Sequence, residues 1–257
     1  MKIHFLGTCA GTEPMMGRQH MSFVIETRGA LYWFDAGEGC SRTAHIKGLD
    51  LLSVKAVVIS HPHMDHTGGL ANLIWNISAI SANYGLPHKF GELLLFVPLK
   101  NVWSGAETLL DADGASYKRR LSVVPCLMTD GVLFDDGAVK ITAYHNMHIR
   151  RAEGEPWRSF SFRIEAEGKA IVYSGDIREL QELDSAIGEG CDCAITETGH
   201  FKIDAVHAYY AEKNVGCVYF SHNGREILGD PEGSREKVAA LFGRRGVIAE
   251  DCMTVDV

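Results

Sequence analysis

Apolar positions come in short bursts along most of the chain. Residues 2–6, 22–26, 30–34, 54–59 and 92–97 are apolar-rich runs bounded by glycine, proline or acidic turns, the pattern of buried strands. Residues 121–125, 132–134, 139–145, 159–165, 169–174, 193–197, 215–220 and 247–249 repeat it. The breaks at Thr27-Arg28-Gly29 and Glu167-Gly168 suit hairpin turns. Leu70, Leu73, Ile74, Ile77 and Ile80 are spaced like one face of a helix, which predicts a helix over 68–81. Residues 41–47, 101–113, 177–187, 204–213 and 232–242 read as further helices. Strands, helices, then strands and helices again predict an α/β chain with two sheets sandwiched between helices. No linker, repeat or low-complexity run divides it, so 1–257 is expected to be one domain.

Residue types that bind metals gather where these strands end. Asp35, the His61 loop, His148, Asp176, Glu197 with His200, and His222 each lie at or just after a predicted strand. One histidine after a strand is more often an ordinary surface or core residue. Six such coincidences fit a site built on a rigid sheet edge. The densest stretch is Ser60-His61-Pro62-His63-Met64-Asp65-His66-Thr67-Gly68-Gly69. Alternate residues of an extended loop point the same way, so His61 and His63 can grip one ion while Asp65 and His66 turn to a second. Imidazole and carboxylate donors suit zinc, iron and manganese. The competing reading is a histidine-rich surface loop. Gly68-Gly69 lets the backbone turn tightly into the helix.

Composition narrows the partners. The net charge of −8 argues against a grip on long nucleic acid, which usually needs a basic face. The clusters Lys118-Arg119-Arg120 and Arg150-Arg151 read as solvated surface. No apolar run reaches the roughly 18 residues of a membrane span. The opening Met1-Lys2-Ile3-His4-Phe5-Leu6-Gly7 reads as a strand without a signal-peptide pattern, and seven scattered cysteines fit a reduced compartment. A cytoplasmic location is expected.

The His61-x-His63-x-Asp65-His66 stretch resembles the metal-binding signature of the metallo-β-lactamase superfamily. That fold is an αββα sandwich, two mixed sheets flanked by helices, with metals at the sheet edges. Phe5-Leu6-Gly7-Thr8, Phe34-Asp35-x-Gly37-Glu38, Ile141 to His148, Tyr173-Ser174-Gly175-Asp176 and Phe220-Ser221-His222 resemble ribonuclease Z and its relatives. So does Ala249-Glu250-Asp251-Cys252-Met253, which is similar to their closing strand. The resemblance implies two divalent metal ions, zinc first, with manganese or iron as alternatives. His61, His63 and His148 would hold one, Asp65, His66 and His222 the other, and Asp176 would bridge them. His145 competes with His148 for the third position. Asp35 would orient the His61 loop through hydrogen bonds, or serve as a plain loop cap. Two such ions share a hydroxide that attacks phosphorus or a carbonyl carbon, and Asp65 can both bind metal and take a proton. Glu197 and His200 are similar in kind to a glutamate–histidine pair beside the scissile phosphate in ribonuclease Z, but stand closer together in sequence. His200 is thereby a candidate for phosphate contact and general acid. Arg18 is a candidate for a phosphate oxygen. A plain surface histidine and a solvent-facing arginine are the alternatives.

Ribonuclease Z also carries a long glycine- and proline-rich arm for tRNA. Here Arg163-Ile164 runs through a tight turn directly to Gly175-Asp176, so the arm is missing and tRNA is a disfavoured substrate. The phosphonate-breakdown cyclic phosphodiesterases share a similar loop and lack the arm, but add a cysteine-rich zinc site for which Cys9 and Cys40 do not suffice. The expected function is a hydrolase of a small or cyclic phosphodiester or a short nucleic-acid end. The rivals are a carboxylic ester, lactone or β-lactam hydrolase on the same fold, and a metal-binding or partner-binding module that has lost catalysis. Trp75, Trp103, Trp157 and Tyr84 are candidates to line a pocket. Segment 83–132 is expected to lid or flank the site, or to pair two copies of the chain.

Overall fold

The structure is a computed structural model that describes residues 1–12 and 15–257. Glu13 and Pro14, at the end of the glycine-bearing loop that follows the first predicted strand, lie outside the described residues. The first sheet holds β1 (Lys2–Gly7), β2 (Ser22–Thr27), β3 (Ala30–Phe34), β4 (Val54–Val58), β5 (Glu92–Val97) and β6 (Ser122–Leu127), side by side in that order. The second holds β7 (Gly131–Asp135), β8 (Val139–His145), β9 (Phe160–Ala166), β10 (Lys169–Tyr173), β11 (Cys191–Glu197), β12 (Val215–Ser221) and β13 (Gly246–Ile248). The chain then returns as β14 (Thr254–Asp256), antiparallel to β1, so among the described residues each sheet has seven strands. Both sheets are mixed: β3 to β6 run parallel, as do β10 to β13, while the remaining pairs are antiparallel. The helices are α1 (Cys40–Ile46), α2 (Met64–Thr67), α3 (Leu70–Tyr84), α4 (Lys100–Asp111), α5 (Asp184–Ile187), α6 (Ile203–Tyr210), α7 (Arg225–Gly229) and α8 (Pro231–Phe242).

Strand alternation sorts the apolar side chains into three layers. Phe5, Phe23 and Phe34 of the first sheet meet Phe162, Tyr173 and Tyr219 of the second in the central layer. The intervening residues Leu6, Val24, Trp33 and Val57 point outward, against Leu73, Ile74 and Ile77 of α3 and Leu110 of α4. On the far side Val172, Ala194, Val218 and Phe220 pack against α6 and α8 through Val206, Tyr210, Val238 and Phe242. This is the αββα sandwich that the pattern predicts. The turns agree as well: Arg28-Gly29 and Glu167-Gly168 both have positive φ, the conformation of a two-residue hairpin.

Three departures have local causes. The helix expected over 177–187 begins late, because the Ile177 N–H donates to Glu197 Oε1 at 3.0 Å and Glu179 and Glu182 cap each other reciprocally. In its place the chain makes a 3-10 turn, Leu180–Leu183, and then the single turn of α5. The expected helix 68–81 starts at Leu70 and runs on to Tyr84, with α2 in front of it. Strand β14 is too short and too polar to show an alternation. Segment 83–132 supplies β5, α4 and β6, the far edge of the first sheet. Its Trp103 is largely buried in the outer layer with its ring 6.4 Å from that of Tyr117, and it borders a small cavity of about 230 Å³ with Lys100 and Leu127. Trp75 and Leu109 are exposed along a groove of about 450 Å³ between α3 and α4, and Tyr84 is also exposed. No helix among the described residues is long and apolar enough to cross a membrane.

Sheet direction decides where function can sit. Parallel strands point their carboxyl ends to one edge, and such edges collect ligands. Asp35 follows β3, His61 follows β4, Asp176 follows β10, Glu197 ends β11 and His222 follows β12.

Phe34 tests the central layer. It is fully buried, stacked on Phe23 at 5.0 Å and edge-on to Phe162 at 6.0 Å. Phe34→Ala should cost about 3–5 kcal/mol, read as a lower denaturant midpoint with an unchanged slope.

Candidate metal centre

The strand ends bring seven side chains to one place. His61 Nε2 lies 3.1 Å from His63 Nδ1, which lies 3.3 Å from His148 Nε2. Asp176 Oδ2 is 3.7 Å from both His61 Nε2 and His148 Nε2. On the other side of the same carboxylate, Asp176 Oδ1 is 3.3 Å from His66 Nε2 and 3.4 Å from His222 Nδ1. Asp65 Oδ2 completes that second group, 3.5 Å from His66 Nε2 and 3.0 Å from His222 Nε2. The two oxygens of Asp176 thus face two different donor sets.

The spacing matches what a metal ion asks for. Donors about 2.0–2.1 Å from a tetrahedral ion stand about 3.3 Å from one another. The donor atoms of His61, His63, His148 and Asp176, and those of Asp65, His66 and His222, come close enough together for each group to hold an ion. A third overlapping group, Asp176, Glu197, His200 and His222, is also close enough to do so. Three buried atoms turned into the centre, His66 Nε2, Asp176 Oδ1 and His222 Nδ1, have no hydrogen-bond partner among the described residues. Orphaned buried polar atoms are costly and rare in folded proteins, and a cation would satisfy all three at once. The residues present therefore fit divalent metal.

Charge says the same. Burial works against His66 and His222 carrying a proton, yet Asp176 with Asp35 pushes the first up to about 10, and Asp176, Asp65 and Glu197 push the second well above its usual value. Burial and the neighbouring His66 push His61 well below it. Burial also opposes the Asp176 and Asp65 carboxylates, but the surrounding imidazoles hold both below the usual carboxylate range. The carboxylates draw positive charge into a dry site, and adjacent imidazoles cannot all supply it as protons.

Asp35 sets the frame around these donors. It is fully buried and held at φ +54°. Oδ1 accepts the Ser60 N–H at 2.6 Å. Oδ2 takes the Ser60 hydroxyl at 2.7 Å, His66 Nδ1 at 2.8 Å and the Tyr173 hydroxyl at 2.5 Å. Its bonds go to the residue before His61, to His66 itself and to the other sheet. Sequence reasoning singled out Asp35 but neither Ser60 nor Tyr173, which carry no metal-type chemistry and read as core.

Glu197 and His200 stand beside the centre. Glu197 is buried, and its oxygens accept from His200 Nδ1 at 2.9 and 2.8 Å and from the His200 N–H at 3.0 Å. The hydrogen bond to Glu197 raises the His200 pKa, and the ring remains half exposed, 3.9 Å from Asp176 Oδ2. Arg18 is elsewhere engaged. Its guanidinium is buried and donates to Thr8 Oγ1 at 2.8 Å and Ala249 O at 2.9 Å, so it is neither a solvent-facing arginine nor one aimed into the donor cluster. His145 points away from the donors: it stacks on Trp157 at 3.8 Å and bonds Asp130 Oδ2 at 2.6 Å. Arg151 covers Trp157 as well, 3.8 Å from the ring.

Comparison with known proteins bears on the family and the fold. Residues 1–214 match the family model described as Anti-Pycsar protein Apyc1. Ribonuclease Z of Archaeoglobus fulgidus is 28% identical over an alignment that covers 100% of this chain and 97% of that protein. Ribonuclease BN of Cronobacter sakazakii is 29% identical over 66% of this chain, which spans about half of that protein's length (51%). Among solved structures, the short form of human tRNase Z superposes with a TM-score of 0.74 at 18% identity, covering 100% of this chain and 99% of that one. A diphosphatase from the PhnP family superposes with a TM-score of 0.68 at 15% identity, covering 100% and 97%. At these identities the solved structures show a shared fold, the metallo-β-lactamase fold.

Asp35 gives the centre a test that does not touch a donor. Asp35→Ala strands the Ser60 N–H and frees the His66 ring, so divalent-metal affinity should fall about 10- to 100-fold in a chelator competition. Tyr173→Phe, which removes one of the four donors to Asp35, should fall less.

Proposed function

The chain belongs to the Anti-Pycsar protein Apyc1 family, and from that premise we propose that it is a metal-dependent phosphodiesterase, one catalytic domain over residues 1–257. The observation that carries this reading is the Asp176 carboxylate set between two donor groups. His61, His63 and His148 would hold one ion and Asp65, His66 and His222 the other, with Asp176 between them. Zinc suits nitrogen and oxygen donors at near-tetrahedral spacing, and manganese or iron are the alternatives. Divalent ions bound there supply Lewis acidity toward a phosphoryl oxygen and lower the pKa of water.

The chain's own side chains do the rest. Asp65, with Oδ2 beside His222, is placed to accept a proton as the nucleophile forms. Glu197 holds Nδ1 of His200, which leaves Nε2 as that ring's remaining nitrogen. The raised pKa keeps His200 protonated further toward neutral pH, so it can donate to the leaving oxygen. A cationic half-exposed donor next to the centre favours an anionic phosphodiester over a neutral ester. The substrate is a small or cyclic phosphodiester, or a short nucleic-acid end. Strands β9 and β10 join through the tight turn at Glu167-Gly168, which leaves no arm to hold tRNA, and the net charge of −8 gives long nucleic acid little attraction.

Two experiments check the proposal. Protein of measured metal content should hydrolyse bis(p-nitrophenyl) phosphate and members of a cyclic nucleotide panel, and chelation should abolish both. Turnover of p-nitrophenyl acetate or lactones alone, with no phosphodiester cleaved, contradicts it. His200→Ala should lower kcat by about 10²- to 10⁴-fold while the bound metal per chain stays the same.

A further inference from the structure

We propose that Asn223 is a positioning residue for His222, held in place by a closed ring of hydrogen bonds through Thr8, Arg18 and Ala249. This rests on the two-ion reading above and concerns residues beyond 214, where the family match ends.

His222 needs to be held. Its φ is +47°, a left-handed conformation uncommon outside glycine. Such strain persists only where the surroundings over-determine it. The next residue supplies the hold. Asn223 is fully buried and bonds four separate places. Its N–H donates to Thr8 O at 2.6 Å and its carbonyl accepts the Ala10 N–H at 3.1 Å. Its Nδ2 donates to Ala249 O at 3.3 Å and its Oδ1 accepts the Thr198 hydroxyl at 3.1 Å.

Those partners are themselves fixed. Arg18 Nη1 donates both to Thr8 Oγ1 at 2.8 Å and to the same Ala249 O at 2.9 Å, which closes the ring Asn223–Thr8–Arg18–Ala249. The Thr8 hydroxyl in turn donates to Asp251 Oδ1 at 2.7 Å, and Asp251 Oδ2 accepts the Gln19 N–H at 2.6 Å. The Thr198 bond also reaches His222 from the other side. A Cβ on the adjacent Gly199 would lie 2.7 Å from His222 Nδ1, so the Thr198-Gly199 turn forms a wall against the imidazole. Asn223 fixes both the turn that carries His222 and the wall that confines it. His61, His63 and His148 lie outside this ring of bonds, so its effect falls on one ion of the two.

The test is zinc binding by the whole chain, titrated against a competing chelator, with thermal melts of each variant alongside. Asn223→Ala should weaken one of two zinc affinities about 10- to 100-fold and leave the other at the wild-type value. Thr198→Val removes a single hydroxyl at nearly constant shape; it should move the same affinity in the same direction by less, and it decides the matter if Asn223→Ala does not fold. Two unchanged affinities, or two that fall together, overturn the proposal while the two-ion reading stands. Wild-type protein that binds a single zinc overturns the two-ion reading, and the proposal with it.

Discussion

The carboxylate of Asp35 is the interaction on which the site's architecture depends. It lies at the end of β3, fully buried, and accepts from Ser60, His66 and Tyr173. A buried charge is tolerable only when such donors satisfy it. Here the donors are the start of the His61 loop, one imidazole of the donor cluster and a side chain of the opposite sheet. One group therefore fixes three things together: where the loop leaves β4, how the His66 ring is turned, and how the two sheet edges meet. The donors need that edge alignment, because His61, His63, Asp65 and His66 come from the first sheet while His148, Asp176 and His222 come from the second.

The sandwich supplies the rest by direction. Strands β3 and β4 run parallel, as do β10, β11 and β12, so their carboxyl ends gather at one edge with little help from long loops. The central aromatic layer keeps the sheets in register. Strain appears where that edge must turn sharply: Asp35 and His222 are both left-handed residues without being glycine. Each is tied down by polar contacts, Asp35 by its own carboxylate and His222 by the bonds of Asn223. The cluster that results gathers carboxylates and imidazoles, and its orphaned atoms face inward.

What the sequence revealed depends on distance along the chain. The layers were legible because alternation is a local property, and Phe34 and Trp33 show it within two residues. The His61 loop was legible because four donor-type residues stand within six positions. The strand-end pattern pointed to His148, Asp176 and His222, but only resemblance assigned them to particular ions, since no spacing rule links positions 87 to 161 residues beyond His61. Arg18, a candidate for a phosphate oxygen in the sequence, is tied to Thr8 and Ala249, partners on other segments that no local pattern reveals. Tyr173 and Asn223 carry no metal-type chemistry, and only the fold shows which polar atoms they reach. The helix over 177–187 gave way to side-chain capping by Glu179 and Glu182 and to the Ile177–Glu197 bond. Tertiary contacts of that kind override local propensity.

The most direct measurement is anomalous diffraction from crystals of the metal-loaded protein. Two peaks about 3.5–4 Å apart are expected, one beside His61, His63 and His148 and the other beside Asp65, His66 and His222, with one oxygen of Asp176 facing each. A single peak, or one seated among Glu197, His200 and His222 with the His61–His63–His148 cage empty, contradicts the two-ion centre.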